Sequence, residues 1–71
     1  MSGMRIHTVE RGETLATIAK VYYGDANLLG LIFQANKKQV DNPNQIHLNQ
    51  RLMIPYAPHE LGLPIEVDDG D

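Results

Sequence analysis

The spacing of apolar residues changes along the chain, and the changes predict four elements. Residues 5–9 alternate loosely between β-prone apolar and polar side chains, which predicts a short strand. Apolar residues at helical spacing predict one helix over about 15–22 and a second over about 28–37. A second short strand is expected over about 51–54. The order β-α-α-β predicts an α+β fold, in which a two-stranded antiparallel sheet carries both helices on one face.

The junction between the first strand and the first helix is the most informative stretch. Gly12 stands where the chain reverses, and a glycine there can take positive φ without a Cβ penalty. Thr14 occupies the position of a helix N-cap. Such a turn leaves backbone amides unpaired at the helix start, so it can receive acceptor-rich ligands. The alternative is a plain strand–helix connector.

The second predicted helix has more apolar surface than one small core requires. One stripe contains Leu28 and Leu31, and a neighbouring stripe contains Leu29 and Ile32. Asn27 is expected to cap this helix. Because only one stripe can face the core, the other is a candidate for protein contact.

Residues 57–71 form a separate acidic segment that has two possible interpretations. One is a disordered tail. The other is an edge strand that docks on another subunit, because apolar residues alternate with others in this segment and Pro64 permits only an edge position. The alternating apolar residues are Leu61, Leu63, Ile65 and Val67.

Composition narrows the class of protein further. The 71 residues form one domain, with a net charge of −3, and they contain no basic stripe of the kind that binds nucleic acid. No apolar run is long enough for membrane insertion. The first residues lack the apolar region of a secretory signal, so cytoplasmic synthesis without a signal peptide is expected. The absence of cysteine excludes disulfides and thiolate metal sites.

Catalytic and metal chemistry find little support in the sequence. The spacing of His7, His47 and His59 matches no zinc pattern. Glu10 and Glu13 could imitate the carboxylate pair of a glycosidase, but so short a turn offers no cleft to raise one pKa. We therefore expect no catalytic residue, no metal and no cofactor.

Taken together, the motifs resemble the LysM family over about residues 5–56. The matching positions lie in order along the chain and with the spacing of that family. They are Thr8-Val9, Gly12-Glu13-Thr14-Leu15, Ile18-Ala19, Tyr22-Tyr23-Gly24-Asp25, Ile32, Ala35-Asn36, Asn42-Pro43, Ile46, Gln50, Leu52 and Ile54-Pro55. The resemblance implies a LysM-type βααβ domain over residues 5–56, after an N-terminal extension of residues 1–4.

The resemblance also implies binding of N-acetylglucosamine glycans, such as peptidoglycan or chitin, in a groove with two walls. Ala16 and His47 stand where the family often carries an aromatic residue, and Asn49 replaces the usual glycine of the last turn as a residue able to adopt αL. One wall is expected to contain Gly12, Glu13, Thr14 and Leu15, and the other Asn42, Pro43, Asn44, Ile46 and His47.

The Tyr-Gly-Asp sequence at residues 23–25 resembles the LysM modules of phage-tail and contractile-injection proteins and those of small bacterial cytoplasmic LysM proteins. A single module with an extra segment and no signal fits the former, which implies a structural adaptor that is bound to protein subunits of a baseplate or tail hub and incorporated into a virion or tail-like particle. Alternatives are a cell-wall glycan-binding module and a small-molecule or cation sensor. The expected protein interface comprises Ile6, Leu28, Leu31, Met53, Leu61, Leu63, Ile65 and Val67.

Overall fold

The computed structural model describes residues 4–62, and its two strands and two helices confirm the predicted α+β fold. The strands pair antiparallel, with Ile6 opposite Met53. The elements are β1 (Met4–Thr8), α1 (Leu15–Tyr23), a first 3-10 helix (Ala26–Leu28), α2 (Leu29–Ala35), β2 (Arg51–Pro55) and a second 3-10 helix (Pro58–Leu61).

The core lies between the sheet and the two helices. Side chains alternate along β2, so that Leu52 and Ile54 are buried while Arg51 and Met53 are exposed. Helix α1 contributes its apolar face, and α2 contributes Ile32. The buried apolar residues are Val9, Leu15, Ile18, Ala19, Tyr23, Ile32, Val40, Leu52, Ile54 and Ala57.

Helix α1 begins and ends at the residues that its sequence predicts. The Thr14 side chain accepts a hydrogen bond from the Thr17 amide at 3.2 Å, and the Thr17 hydroxyl accepts one from the Thr14 amide at 2.9 Å. Gly24 ends the helix with φ of 76°, and its amide donates to the Lys20 carbonyl at 2.9 Å. Capping at both ends therefore fixes α1 within one residue of the prediction.

The second helix departs from its prediction at both ends. A 3-10 turn precedes it, capped by Asp25, whose carboxylate accepts from the Asn27 amide at 2.9 Å. Asn27 therefore does not cap the second helix, because its own backbone amide is the group that Asp25 caps. The helix ends at Ala35 because the next residue, Asn36, turns its side chain onto the Ile32 carbonyl at 2.7 Å. A side chain that hydrogen-bonds nearby backbone competes with continued helix.

The predicted exposed stripe of the second helix is wrong for two of its members. Leu28 and Leu31 are half-buried and pack against the core. Leu28 lies in the first 3-10 helix, which contacts α1, and so it does not continue a stripe along α2. Ile6 and Met53, by contrast, lie exposed on the outer sheet face, at 58% and 39%. Their role as an interface stays a prediction.

The described residues that follow β2 fold back onto the domain. Ala57 is fully buried, and Glu60 receives two hydrogen bonds from the Arg5 guanidinium, at 2.8 and 3.0 Å. These bonds lower the pKa of Glu60. Leu61 therefore belongs to a 3-10 helix rather than to the extended segment expected there, and it is exposed. The other alternating residues of that segment, Leu63, Ile65 and Val67, lie outside the described residues.

Candidate functional site: two closed turns beside the predicted groove

The first wall of the predicted groove is a four-residue turn that its own last side chain closes. The Glu13 amide donates to the Glu10 carbonyl at 3.1 Å. In return, the Glu10 amide donates to the Glu13 carboxylate at 2.7 Å. Gly12 occupies the third position with φ of 85°, where positive φ favours glycine. Both backbone polar groups of Glu10 are thus held by Glu13.

A chain of side chains behind this turn fixes the Glu13 carboxylate. Nε2 of His7 lies 2.8 Å from the same carboxylate oxygen that accepts from the Glu10 amide. On the other side of the ring, Nδ1 of His7 lies 3.0 Å from the Tyr22 hydroxyl. The hydrogen bond from His7 is the larger of two contacts that lower the pKa of Glu13, and the hydrogen bond from the Glu10 amide is the smaller. The carboxylate is thus anchored from β1 and, through the ring, from α1.

The second wall contains a turn of the same construction, at residues 47–50. The Gln50 amide donates to the His47 carbonyl at 3.0 Å, and the His47 amide donates to the Gln50 side-chain carbonyl at 2.8 Å. Asn49 occupies the third position with φ of 69°, which confirms its expected left-handed conformation. Residues 10–13 and 47–50 therefore form one motif twice, closed by a carboxylate in one case and by an amide in the other.

Neutral groups support the second turn. The Gln50 side-chain amide donates to the Gln39 side-chain carbonyl at 3.2 Å, and Gln39 donates to the Asn36 side chain at 3.1 Å. Asn36 is 2% exposed and bonds both the amide and the carbonyl of Met53, each at 2.9 Å. The second turn is consequently linked to α2 and β2 through amide side chains alone.

Val9 joins the two turns. Its amide donates to the Gln50 carbonyl at 2.8 Å, and its carbonyl accepts from the Asn49 amide at 2.8 Å. Val9 directly precedes the first turn and its side chain is buried. Because both ends of this backbone pair are fixed, the structure brings the first turn next to the second.

The loop that continues the second wall is also ordered by its own side chains. The Asn42 side chain accepts from the Asn44 amide at 2.9 Å, and the Asn42 carbonyl accepts from the Gln45 amide at 2.9 Å. Asn42, Asn44 and His47 are exposed, whereas Pro43 and Ile46 are half-buried. This wall thus offers polar groups together with some apolar surface.

On the first wall, Gly12 and Thr14 are exposed and Glu13 is half-buried, but the prediction for Leu15 needs correction. Its side chain is 1% exposed and belongs to the core, so it cannot form an apolar side of the groove. Its backbone amide lies in the first turn of α1, where helix geometry supplies no partner. Ala16, the next residue, is half-buried.

Within residues 4–62, no three histidine, cysteine or acidic side chains form a group that could hold a metal ion. In the same part of the chain, no helix has the length and apolar character needed to cross a membrane. Glu13, one member of the glycosidase-like pair considered above, uses its carboxylate oxygen for two hydrogen bonds within the fold. The site therefore presents hydrogen-bonding groups on a backbone that its own hydrogen bonds hold in place.

A family comparison agrees with this geometry. The model of the LysM domain matches residues 7–55, which is more than half of the chain. The chain belongs to the LysM family. LysM domains are binding domains, so the two turns and the loop between β2 and α2 lie in a non-catalytic binding module.

Characterised proteins that contain similar LysM sequence differ widely in size. This LysM chain is 45% identical over 51 residues to "Potassium binding protein Kbp" of Escherichia coli O6:H1, covering 72% of this chain and 34% of that protein. It is 41% identical over 49 residues to "Esterase Rv1288" of Mycobacterium tuberculosis, covering 69% of this chain and 10% of the esterase. The chain thus spans about a third and a tenth of these relatives, respectively.

Sequence reasoning missed the residues that hold the LysM turns in place. Among the sequence predictions, His7 appears only in the set of histidines compared with zinc patterns, and neither Gln39 nor Gln50 belongs to the predicted groove. A usable signal exists in the sequence, because both turns have a residue tolerant of positive φ at the third position and a hydrogen-bond acceptor at the fourth. The contacts behind the turns join side chains from separate elements, and the spacing of residues gives no signal for them.

Proposed function

We propose that this LysM domain binds N-acetylglucosamine glycans, such as peptidoglycan or chitin, between residues 12–15 and residues 42–47. The observation that carries the proposal is the pair of closed turns joined at Val9, because it holds two exposed polar walls side by side. A ligand that meets fixed donors and acceptors loses less free energy to ordering the protein.

The chemistry of the walls suits an acetamido sugar. The amide side chains of Asn42 and Asn44 are exposed, and each can donate to and accept from sugar hydroxyl or acetamido groups. Thr14 is exposed at the start of α1, next to amides that have no intrahelical partner. Half-buried Pro43 and Ile46 supply apolar contact. Polar groups in defined positions beside apolar surface are typical of small-ligand sites.

A titration tests the proposal directly. Chitotetraose and soluble peptidoglycan fragments are added in turn to the ¹⁵N-labelled chain up to millimolar concentration. We expect saturable chemical-shift changes concentrated in residues 12–15 and 42–47. If no amide in these two ranges shifts with either ligand, the glycan proposal is wrong.

An aromatic substitution sharpens this test. In His47→Trp, a large ring replaces an exposed side chain on the second wall, so we expect chitotetraose affinity to rise about two- to tenfold. His59→Trp is the matched control, because His59 is also exposed but lies in the second 3-10 helix. An equal gain in both variants would point to non-specific stacking and would contradict the assignment of the groove.

A second proposal is the adaptor role in a phage-tail-like or contractile-injection particle, made in the cytoplasm and assembled with other subunits. The observation that favours it is the outer sheet face, where three apolar side chains stand exposed. Met4 is 50% exposed, Ile6 58% and Met53 39%, and Ile6 pairs with Met53 across the strands. An apolar patch of this kind is typical of protein contact surfaces.

Substitutions on this face test the adaptor role without disturbing the core. Ile6→Thr with Met53→Thr should abolish incorporation into such a particle, while the urea midpoint stays close to that of wild type. Substitution of Leu28 or Leu31 is a poor test, because both pack against the core. Unchanged incorporation of the double variant would rule this role out.

A further inference from the structure

The His7 side chain lies at the point where the first turn meets the rest of the fold. It is 18% exposed, and both of its ring nitrogens are engaged. A carboxylate can only accept hydrogen bonds, so Nε2 must carry a proton to bond Glu13. In the neutral imidazole, Nδ1 is then an acceptor and Tyr22 donates its hydroxyl hydrogen to it. The hydrogen-bond pattern therefore assigns the Nε2–H tautomer to neutral His7.

The second turn has no equivalent titratable support. Its closing group is the Gln50 amide, which Gln39 and Asn36 hold through amide side chains. These groups keep the same charge at every physiological pH. The two turns thus share one backbone design but differ in whether the group that closes the turn can change its charge.

We propose that His7 is a positioning residue for the groove: its Nε2–H holds the Glu13 carboxylate that closes the first turn, whereas amide side chains hold the second turn. The part concerning glycan affinity rests on the function proposed above. The part concerning the turn is a property of the free protein. His7 acts through Glu13 and is not itself placed in contact with ligand.

The groups that face His7 leave Glu13 as its charged partner. Glu13 faces it from the turn and Tyr22 from α1, while its register partner on β2 is the apolar Leu52. Arg5, from the same strand, lies over the Tyr22 ring at 5.0 Å and is paired with Glu60. The charge in direct contact with His7 is therefore the Glu13 carboxylate.

The experiment measures amide hydrogen exchange at Glu10 and His47 in the full chain at pH 7, corrected for intrinsic rates. These amides are the side-chain-bonded donors of the two turns. In wild type we expect both amides to be protected. In His7→Phe we expect Glu10 protection to fall about tenfold, the value of one charge-assisted hydrogen bond, with His47 unchanged.

His7→Gln provides the conservative comparison. Its side-chain amide can reach the position of Nε2 and donate to Glu13. We expect Glu10 protection near the wild-type value. Chitotetraose affinity should follow the same order, lower by about threefold or more in His7→Phe and restored in His7→Gln.

Several results would overturn the positioning role. These are unchanged Glu10 protection in His7→Phe, equal losses at Glu10 and His47, or the Nδ1–H tautomer in wild type by long-range ¹⁵N correlation. The tautomer measurement needs no variant, so it decides the matter even if His7→Phe fails to fold. If wild type does not bind chitotetraose, the glycan function fails, whereas the Glu10 and His47 comparison still decides whether His7 positions the turn.

Discussion

The turns at residues 10–13 and 47–50 have the same hydrogen-bond pattern but are held by different chemistry. In each, the last residue bonds the first through both its backbone and its side chain. The carboxylate of Glu13 is held by a histidine, whereas the amide of Gln50 is held by other amides. The backbone shape of a binding wall and its sensitivity to solution conditions are thus set by separate residues.

The two supports also differ in depth. Asn36, behind the second turn, is 2% exposed, while His7 and Glu13 remain partly accessible to water. Buried polar networks are costly to leave half-satisfied, but exposed charge pairs are screened. We therefore expect damage to the second support to unfold the domain, and damage to the first to loosen only one turn.

The largest effect is expected from Asn36→Leu. This change leaves the amide and carbonyl of Met53 without their side-chain partner, so the free energy of unfolding should fall by about 2–4 kcal/mol. Urea denaturation measures the loss. Gln34→Ala is the control, since Gln34 is exposed on the same helix, and it should change stability by less than about 0.5 kcal/mol. Similar losses in both variants would contradict the role given to Asn36.

A smaller effect is expected at the third position of each turn. Nothing lies within 4 Å of a Cβ built on Gly12, so Gly12→Ala should cost only the backbone penalty of positive φ, about 1 kcal/mol. Asn49→Ala should cost a similar amount, and Gly12→Asn should cost less, because asparagine tolerates this conformation. Thermal unfolding of the three variants checks this order, and a larger loss in Gly12→Asn than in Gly12→Ala would refute it.

The smallest effect is the dependence on pH. Glu13 has a lowered pKa in the folded protein, so its stabilising contribution is complete above its ordinary pKa and is lost as pH falls through the folded value. Glu13→Gln should therefore cost about 0.5–1 kcal/mol at pH 7 and almost nothing once the pH has fallen below the pKa of Glu13 in the folded protein. Glu60, which also has a lowered pKa, is present in both proteins and cancels from the difference.

In Gln50→Glu we expect the destabilisation to change with pH in the same sense as in Glu13→Gln, but from an added, not a removed, carboxylate. In the wild type, the Gln39 side-chain carbonyl accepts a hydrogen bond from the Gln50 side-chain amide. In the variant, a carboxylate with no hydrogen to donate would face the same carbonyl. We expect destabilisation at pH 7 that becomes smaller in acid, as the new group is protonated. Urea titrations at several pH values compare the two variants. A loss in Gln50→Glu that did not become smaller in acid would contradict this account of the second turn.

The sequence carries the local features of this LysM domain well. Thr14, Gly24 and Asn49 have conformations that follow from residue type and position alone, and the structure confirms all three. The bounds of α2 could not be predicted, because Asn36 ends that helix with a side chain that also bonds β2. The burial of Leu28 likewise depends on a 3-10 turn that the apolar pattern does not distinguish from helix.

The predicted groove stays a prediction, and the structure adds the contacts that hold its two turns. Val9 pairs with the chain just after His47 and so brings the turn at residues 10–13 next to the turn at residues 47–50. The anchoring of Glu13 by His7 depends on how a strand side chain meets a turn once both have folded. A periodicity argument treats each element alone and has no access to such a contact.

The ion pair between Arg5 and Glu60 limits where this LysM module can be truncated when it is transferred to a fusion protein. Both residues lie outside the matched span of residues 7–55, yet they are 55 positions apart in sequence and bonded in the fold. The Arg5 guanidinium also lies 4.1 Å from the centre of the Tyr56 ring. A fusion protein that contained only residues 7–55 would lose both residues of this ion pair. The transferable unit must therefore include Arg5 and Glu60, so it is longer at each end than the motif by which the module is recognised.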